Sequence, residues 1–393
     1  LSVNQGNKIL FLSILLVALS GVGISQLRVE NSFINYFSQD TEIFKGLKFI
    51  DEKLGGTSPL EIVIKFDNVN SEVLTPEDLE GMTKEEIEME REYAEEMANS
   101  PEYWFTPDKV QRIKKIHDYL DSLENIGKVL SLASAIRVAE DYAESELDGV
   151  QLALLYSKLP PVVKRNLIDP YISIEDNEAR ISIRIIDSQE NLRRNDLIKK
   201  INYDLKNEFG LEESEFKLAG VLILFNNLLQ SLFKSQILTL GLVMIGIFAM
   251  FFVLFRNIKL SFIGVVPNFI AAFFILGIIG LLGIPLDMMT ITIAAITIGI
   301  AVDNSIHYIY RFKEEFKDLN DYNKTINLCH STVGKAILNT SITIVFGFSI
   351  LILSKFIPTI YFGVFTGIAM LLAMVSVLTL LPSLILLIKP FEK

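Results

Sequence analysis

The sequence predicts an α-helical membrane protein with six transmembrane helices and a large α+β domain between the first and second of them. Half of the residues are hydrophobic and the mean hydropathy is +0.40, which is typical of a membrane protein. Six apolar runs reach or approach the ~20 residues that cross ~30 Å of hydrocarbon. They are residues 9–24, 237–255, 260–283, 288–310, 336–353 and 360–388.

The first apolar run is interpreted as a membrane anchor. Because only about 16 of its residues are strictly apolar, a signal peptide is the alternative interpretation. No A-x-A-like cleavage site follows the run, and Gln26, Leu27 and Arg28 are a poor context for cleavage. We therefore expect residues 1–25 to form the first transmembrane helix.

The basic residues near the ends of the runs predict the orientation of the protein in the cell membrane. If six helices are threaded in order, these residues fall on one side: Lys8, Arg256, Lys259, Arg311, Lys313, Lys317, Lys324, Lys335, Lys389 and Lys393. The positive-inside rule makes that side the cytoplasm, so both termini are expected there. Residues 26–236 should then form an extracytoplasmic domain, and residues 237–393 should contain transmembrane helices two to six.

The predicted extracytoplasmic domain is long enough to hold a core of its own. Its patterns predict strands at 60–66, 128–132, 180–186 and 215–219, and helices at 75–99, 107–125, 134–158 and 191–209. Without the inserted helices this is a β-α-β-β-α-β order, the ferredoxin-like split β-α-β unit. Residues 221–234 are expected to be a connector to the second transmembrane helix, or an amphipathic helix at the membrane interface.

The charge of the chain is concentrated in one acidic insert. The net charge is −11, and residues 72–102 contain twelve Asp or Glu against Lys84 and Arg91. A solvated helix is favoured over a site for a basic partner or cation. A nucleic-acid partner is not expected because there is no basic stripe. No metal-ligand spacing, nucleotide-binding glycine loop or nucleophile motif is visible, so no metal, cofactor or enzyme activity is expected.

Asp303 is the one acidic residue inside the fourth apolar run. A carboxylate at bilayer depth costs ~2.5 to 3.5 kcal/mol, so it is kept as a rule where it handles ions or substrate. His307 lies four residues later and therefore on the same helical face. Alternatively, Asp303 only hydrogen-bonds the fifth helix at Asn339, Thr340 or Thr343 and holds the two helices together.

Residues 299–316, GIAVDNSIHYIYRFKEEF, resemble the fourth-helix signature of the resistance-nodulation-division superfamily. The matching positions are Gly299, Asp303, Asn304, Ile306, His307, Arg311, Phe312, Glu314 and Glu315. Residues 334–363 are similar to the fifth-helix pattern of the same proteins, and Gly55 and Gly56 before strand 60–66 resemble the start of their outer domain. Within the superfamily the chain looks most like the hydrophobe/amphiphile efflux branch, which includes mycobacterial large membrane proteins, hopanoid exporters and Patched-like proteins.

The resemblance implies a proton-coupled secondary transporter that exports a lipid or another amphiphile. Asp303, His307 and Asn304 would take part in proton coupling, while Gly299, Asn339, Thr340 and Thr343 would pack the helices around them. Most relatives carry two such halves, so a single half implies a homodimer or a piece of a longer protein. Asn304 stands where many relatives have tyrosine, and the fourth helix has no lysine for Asp303. Sodium coupling therefore stays open beside proton coupling.

Two other functions compete with transport. Helices two to six also resemble the sterol-sensing unit, which suggests a sensor or scaffold that binds lipid without moving it. Accessory proteins of protein export share the same half-length topology. Transport predicts a substrate flux that collapses with the proton gradient, whereas the other two functions do not.

Overall fold

The computed structural model describes residues 5–29, 32–66, 83–84, 87–89, 104–189 and 192–391. The chain divides into two compact units. The membrane unit consists of Leu1–Thr41 and Asn227–Lys393, and the α+β unit is Glu42–Asn226. Most of the acidic insert predicted at 72–102, with its helix at 75–99, lies outside the described residues.

Six helices in the described part of the chain are long and apolar enough to cross a membrane. We name them span 1 to span 6: Gly6–Ile24, Val221–Phe255, Ile258–Leu281, Thr290–Leu319, Val333–Leu353 and Ile357–Ile388. The prediction of six spans is confirmed. Span 2 begins much earlier than the predicted residue 237, because residues 221–234 continue into it as one 35-residue helix.

Spans 3, 4 and 6 form the core of the membrane unit. Ile263 of span 3, Tyr308 and Phe312 of span 4, and Val377 of span 6 are buried in one apolar cluster. Spans 1, 2 and 5 expose most of their surface. Apolar side chains on those three spans therefore remain available to lipid or to a partner.

Span 1 packs closely against span 3 through glycines. A Cβ atom added to Gly277 would lie 2.5 Å from the Cα atom of Ser20, and one added to Gly23 or Gly280 would collide with the backbone of the other span. Small residues allow two helix backbones to approach in this way. Span 1 is therefore an integral part of the bundle.

The segment that follows span 1 lies at the same end of the bundle as two loops. The Leu286 N–H, in the loop between spans 3 and 4, donates to the Arg28 carbonyl at 2.7 Å. The Ser38 N–H donates to the carbonyl of Lys355 at 3.0 Å, and Lys355 also forms an ion pair with Asp40. The chain after span 1 and the loops 3/4 and 5/6 thus share one end of the membrane unit.

The opposite end of the bundle carries the basic loop residues. Lys313 Nζ, in the last turns of span 4, donates to the Phe255 carbonyl at the end of span 2 (3.2 Å). Asn257 Nδ2 donates to the Pro390 carbonyl just after span 6 (3.1 Å). The 2/3 loop, the end of span 4 and the end of span 6 therefore meet.

The α+β unit contains an antiparallel sheet whose strands lie in the order β2-β4-β1-β5, with β3 paired to β4. The strands are β1 Ser58–Lys65, β2 Ile126–Leu130, β3 Ile172–Ser173, β4 Glu178–Ile185 and β5 Phe216–Ala219. The helices are α1 Glu42–Lys53, α2 Pro107–Asp121, α3 Leu132–Ala143, α4 Gly149–Lys158, α5 Pro161–Leu167 and α6 Arg194–Asn207.

The sheet buries one face against helices α2 and α6. Along β4, Ile181, Ile183 and Ile185 are buried and alternate with less buried residues, as period-two patterning requires. These isoleucines share one apolar cluster with Ile116 of α2 and Ile201 of α6. The helices that follow β2 in the chain, α3 to α5, extend this cluster.

A buried carboxylate attaches α1 to the sheet. Asp51 is fully buried and accepts hydrogen bonds from the backbone N–H groups of Thr57 (2.8 Å), Asp187 (2.9 Å) and Ser188 (2.8 Å). Burial raises the pKa of Asp51, but the hydrogen bonds from Thr57 and Ser188 outweigh it and hold the pKa below its ordinary value. Gly56 is needed beside this junction, because it has φ +108° and a Cβ atom would lie 2.5 Å from the Ile185 carbonyl oxygen.

Apart from a 3₁₀ turn at Ile34–Tyr36, four short elements of the described chain were not predicted. They are α1, α5, the two-residue strand β3, and a further helix, α7, at Tyr322–Ser331 between spans 4 and 5. The strand β3 and helix α5 are only two and seven residues long, too short for a strong periodic signal, and α1 is attached to the sheet through Asp51.

Candidate functional site

Span 4 begins at a capping residue that fixes its first turn. The Asp287 carboxylate is buried, and its Oδ1 accepts hydrogen bonds from the N–H groups of Met289 and Thr290, both at 2.8 Å. An acidic side chain at this position satisfies free N–H groups and complements the helix dipole. Asp287 therefore fixes where span 4 begins.

Asp303 and His307 form a pair on the outer face of span 4. Asp303 Oδ1 lies 3.4 Å from Nε2 of His307, and the two side chains are 70% and 64% exposed. The sequence predicts a carboxylate that faces a protein interior. In a single copy of the chain this carboxylate instead points away from the bundle, because the neighbouring residues Val302 and Asn304 occupy the buried face.

Gly299, four residues before Asp303, extends this face toward the start of span 4. Gly299 is exposed, and a Cβ atom there would meet no atom within 4 Å. Toward the basic end of the helix, Arg311 forms an ion pair with Glu315 at 2.5 Å. Each four-residue step turns about 40° around the helix, so Arg311 and Glu315 lie progressively farther round it from Gly299. We call Gly299, Asp303 and His307 the polar face of span 4.

Span 5 contributes exposed polar residues of its own. Asn339, Thr340 and Thr343 are exposed. The Thr340 hydroxyl donates to the Ala336 carbonyl at 3.1 Å, and the Thr343 hydroxyl donates to the Asn339 carbonyl at 2.9 Å. Both hydroxyls thus bond within their own helix, and none of the described hydrogen bonds joins these residues to Asp303.

Asn304 lies apart from the Asp303 and His307 pair. Successive residues in a helix point about 100° apart, so Asn304 faces the bundle while Asp303 faces outward. Asn304 is buried, and its Nδ2 donates to the Ser341 hydroxyl of span 5 at 3.5 Å. Its position in this structure is that of a contact between spans 4 and 5.

A buried asparagine was missed by the sequence reasoning. Asn268 of span 3 is fully buried, and its Nδ2 donates to the Gly264 carbonyl (2.9 Å) and to the Ser305 hydroxyl of span 4 (3.2 Å). The sequence signal for this contact was an asparagine directly after Pro267 within an apolar run. Polar contacts of this kind hold transmembrane helices together. Among the described residues, no group of three or more His, Cys, Asp or Glu side chains is placed to hold a metal ion.

Comparison with known proteins decides the family. The sequence profile of the MMPL family matches residues 37–392. The chain belongs to the MMPL family. A protein of Methanocaldococcus jannaschii named as a membrane protein, MJ1562, is 25% identical to this MMPL protein over 384 residues, which is 96% of the chain and 89% of the relative. The resemblance seen in residues 299–316 is thereby confirmed, and this MMPL protein is a multi-pass membrane protein of a transporter family.

Proposed function

We propose that this MMPL protein is a proton-coupled secondary transporter that exports a lipid or another amphiphile, and that it works as a homodimer. The observation that carries the proposal is the Asp303 carboxylate, which stands on an uncovered face inside a membrane span with His307 one turn away. A titratable pair at this depth is expensive and is characteristic of proton relays.

The homodimer accounts for the uncovered carboxylate. An ionised side chain in contact with hydrocarbon is strongly unfavourable, so another polar surface is needed to cover Asp303. Gly299 leaves room for a second backbone to approach, and the exposed Asn339 and Thr343 of span 5 are further polar residues on the surface of the bundle. A two-fold axis along span 4 would bring both copies of Asp303 together, shielded from lipid.

His307 supplies a first step for protons that leave Asp303 toward one end of the bundle. His307 lies one turn from Asp303 toward the basic end of span 4, with its Nε2 atom 3.4 Å from the Asp303 carboxylate. The positive-inside rule makes that basic end cytoplasmic. A proton taken up by Asp303 from the opposite side would then be released toward the cytoplasm through His307.

The same orientation places the α+β unit outside the cytoplasm, where an exported amphiphile would meet it. The strand order β2-β4-β1-β5, with α2 and α6 connecting strands on either side, supports a ferredoxin-like split β-α-β unit with α3 to α5 inserted. This is the domain that the resemblance in sequence implies for substrate handling.

The test is gradient-driven transport by the full chain in proteoliposomes. Labelled fatty acids, phospholipids and isoprenoid lipids are followed with and without a proton gradient. Asp303→Asn should abolish the gradient-driven flux, because asparagine keeps the volume but does not titrate. Glu314→Gln removes an exposed carboxylate from the same helix and should retain the flux.

Each other outcome points to a specific alternative. Wild-type flux in Asp303→Asn would contradict proton coupling through this residue. Flux that follows a sodium gradient would favour sodium coupling. Lipid binding without any flux would support the sensor, and a secretion defect without flux would support the protein-export accessory.

A further inference from the structure

Helices α3, α4 and α5 of the α+β unit enclose a cavity of about 610 Å³. Its walls are almost entirely apolar, and the deepest residues, Leu132, Ile136 and Leu152, are buried and belong to the core of the unit. This volume lies within the 300–1,000 Å³ typical of small-molecule sites. The cavity is therefore large enough for a ligand.

The rim of the cavity is apolar as well. Val138, Tyr142, Leu154 and Leu167 line it and are 69%, 92%, 57% and 52% exposed. Scattered exposed apolar residues are common, but a group of them around one apolar opening marks a binding surface. The apolar opening of this cavity therefore favours a hydrocarbon ligand.

Cationic groups lie at one side of the cavity. Lys158 lines it, and Lys164 Nζ lies 4.3 Å from the ring centroid of Tyr156, which also lines it. Burial, and secondarily the charge of Asp169, raise the pKa of Tyr156, so this hydroxyl stays neutral. An anionic head group would complement the two ammonium groups.

Helix α4 has free space on both of its faces. A second cavity of about 700 Å³ lies on the other side of it, lined by Pro107, Val150 and Ala153 among others. The N-terminus of α4 is held by a reciprocal capping box between Asp148 and Gln151. The helix is thus anchored at its start and separates the two cavities.

We propose that the 610 Å³ cavity binds the single apolar chain of an anionic amphiphile, with its head group at Lys158 and Lys164. This assigns a substrate class to the transporter and in that respect rests on the proposed function. The binding itself is independent of transport and can be tested separately. The test distinguishes this ligand from a two-chain phospholipid.

Trp104 provides a built-in reporter for this site. It is the single tryptophan of the chain, and its ring lies 5.5 Å from that of Phe105, which lines the cavity. The full chain in lipid nanodiscs is titrated with a fatty acid brominated in mid-chain, because bromine quenches tryptophan fluorescence at short range. We expect saturable quenching.

Two pairs of variants locate the site. Ala139→Phe fills the 610 Å³ cavity, whereas Ala153→Phe fills the second cavity across α4. Only the former should weaken binding, by roughly tenfold or more. Lys158→Gln combined with Lys164→Gln should weaken binding of the fatty acid but not of the brominated alcohol of equal length. Lys115→Gln, an exposed lysine on α2, should change neither.

Thermal unfolding of each variant checks that it is folded, and the brominated alcohol gives a second readout in the lysine variants. Equal loss of binding in Ala139→Phe and Ala153→Phe would overturn the proposal. Quenching by brominated two-chain phospholipids of the disc, without quenching by the fatty acid, would overturn it as well.

Asp303→Asn should bind the fatty acid like the wild type. Binding without gradient-driven flux would leave the cavity assigned and refute transport. Gradient-driven flux that is lost in Asp303→Asn but unchanged in Ala139→Phe would refute the role of the cavity and not the transport function.

Discussion

The Asp303 carboxylate lies 3.4 Å from the His307 imidazole on a face of span 4 that the described part of the chain leaves uncovered. In water such an exposed pair would contribute little. In a membrane the same exposure to lipid is costly. The Asp303 and His307 side chains therefore need polar groups of a protein surface in contact with them. The geometry of one copy therefore bears directly on assembly and on coupling.

Assembly through the polar face predicts a crosslink at position 299. Gly299→Cys, in a Cys329→Ala background, should form a disulfide between two copies under mild oxidation, because the site is open and would lie near the two-fold axis. Leu242→Cys in the same background is the control, since Leu242 is 69% exposed on span 2. Equal crosslinking at both positions, or none at 299 in native-like lipid, would contradict this dimer.

The glycine contact between spans 1 and 3 predicts a sharp difference between two similar substitutions. Gly277→Val inserts a side chain where a Cβ atom would already lie 2.5 Å from the Ser20 Cα atom, so it should cost at least the roughly 1–3 kcal/mol of an overpacked core. Gly246→Val, on span 2, meets no atom within 4 Å and should be tolerated. Thermal unfolding in detergent measures both. Equal stability of the two variants would refute the close contact.

His117 predicts that the α+β unit loses stability in acid. The side chain is buried, and its Nδ1 lies 2.9 Å from the Ser131 hydroxyl. Burial lowers the pKa of His117 and the charge of Arg137 lowers it further, whereas Asp121 opposes the shift. Below pH ~6.5 the unfolded chain therefore binds a proton that the folded unit resists, and stability falls as the pH falls.

Proteolysis of the α+β unit between pH 5 and 8 measures this effect. His117→Gln should flatten the acid side of the profile, whereas His307→Gln, an exposed histidine of the membrane unit, should leave it unchanged. An identical acid dependence in the wild type and in His117→Gln would show that another group is responsible.

The six spans could be predicted because the length and hydropathy of each span are properties of one continuous segment of sequence. The direction of Asp303 was not predictable, since both the lipid-facing and the buried faces of a membrane helix are apolar and the sequence does not distinguish them. Asp303 and Asn304 are neighbours in sequence, yet one faces outward and the other contacts Ser341. Only the positions of spans 3, 5 and 6 decide between the two residues.

Tertiary contacts also explain what was missed in the α+β unit. The alternation along β4 predicted that strand within two residues of its observed start, because the period is local. The role of Asp51 depends on the N–H groups of Asp187 and Ser188, which are more than 130 residues away in sequence. The cavity likewise depends on how three separate helices pack: α3 and α4 lie largely within the predicted helical stretch 134–158, but their arrangement with α5 around a cavity is not visible in the sequence.

Protonation of Asp303 is the most direct test of coupling, and infrared difference spectroscopy of the reconstituted protein between pH 4 and 9 measures it without knowledge of the substrate. Proton coupling through Asp303 predicts a protonated carboxyl band at pH 6 that disappears in Asp303→Asn and persists in Glu314→Gln. A band that is absent at pH 6, or one that remains in Asp303→Asn, would contradict proton coupling through this residue.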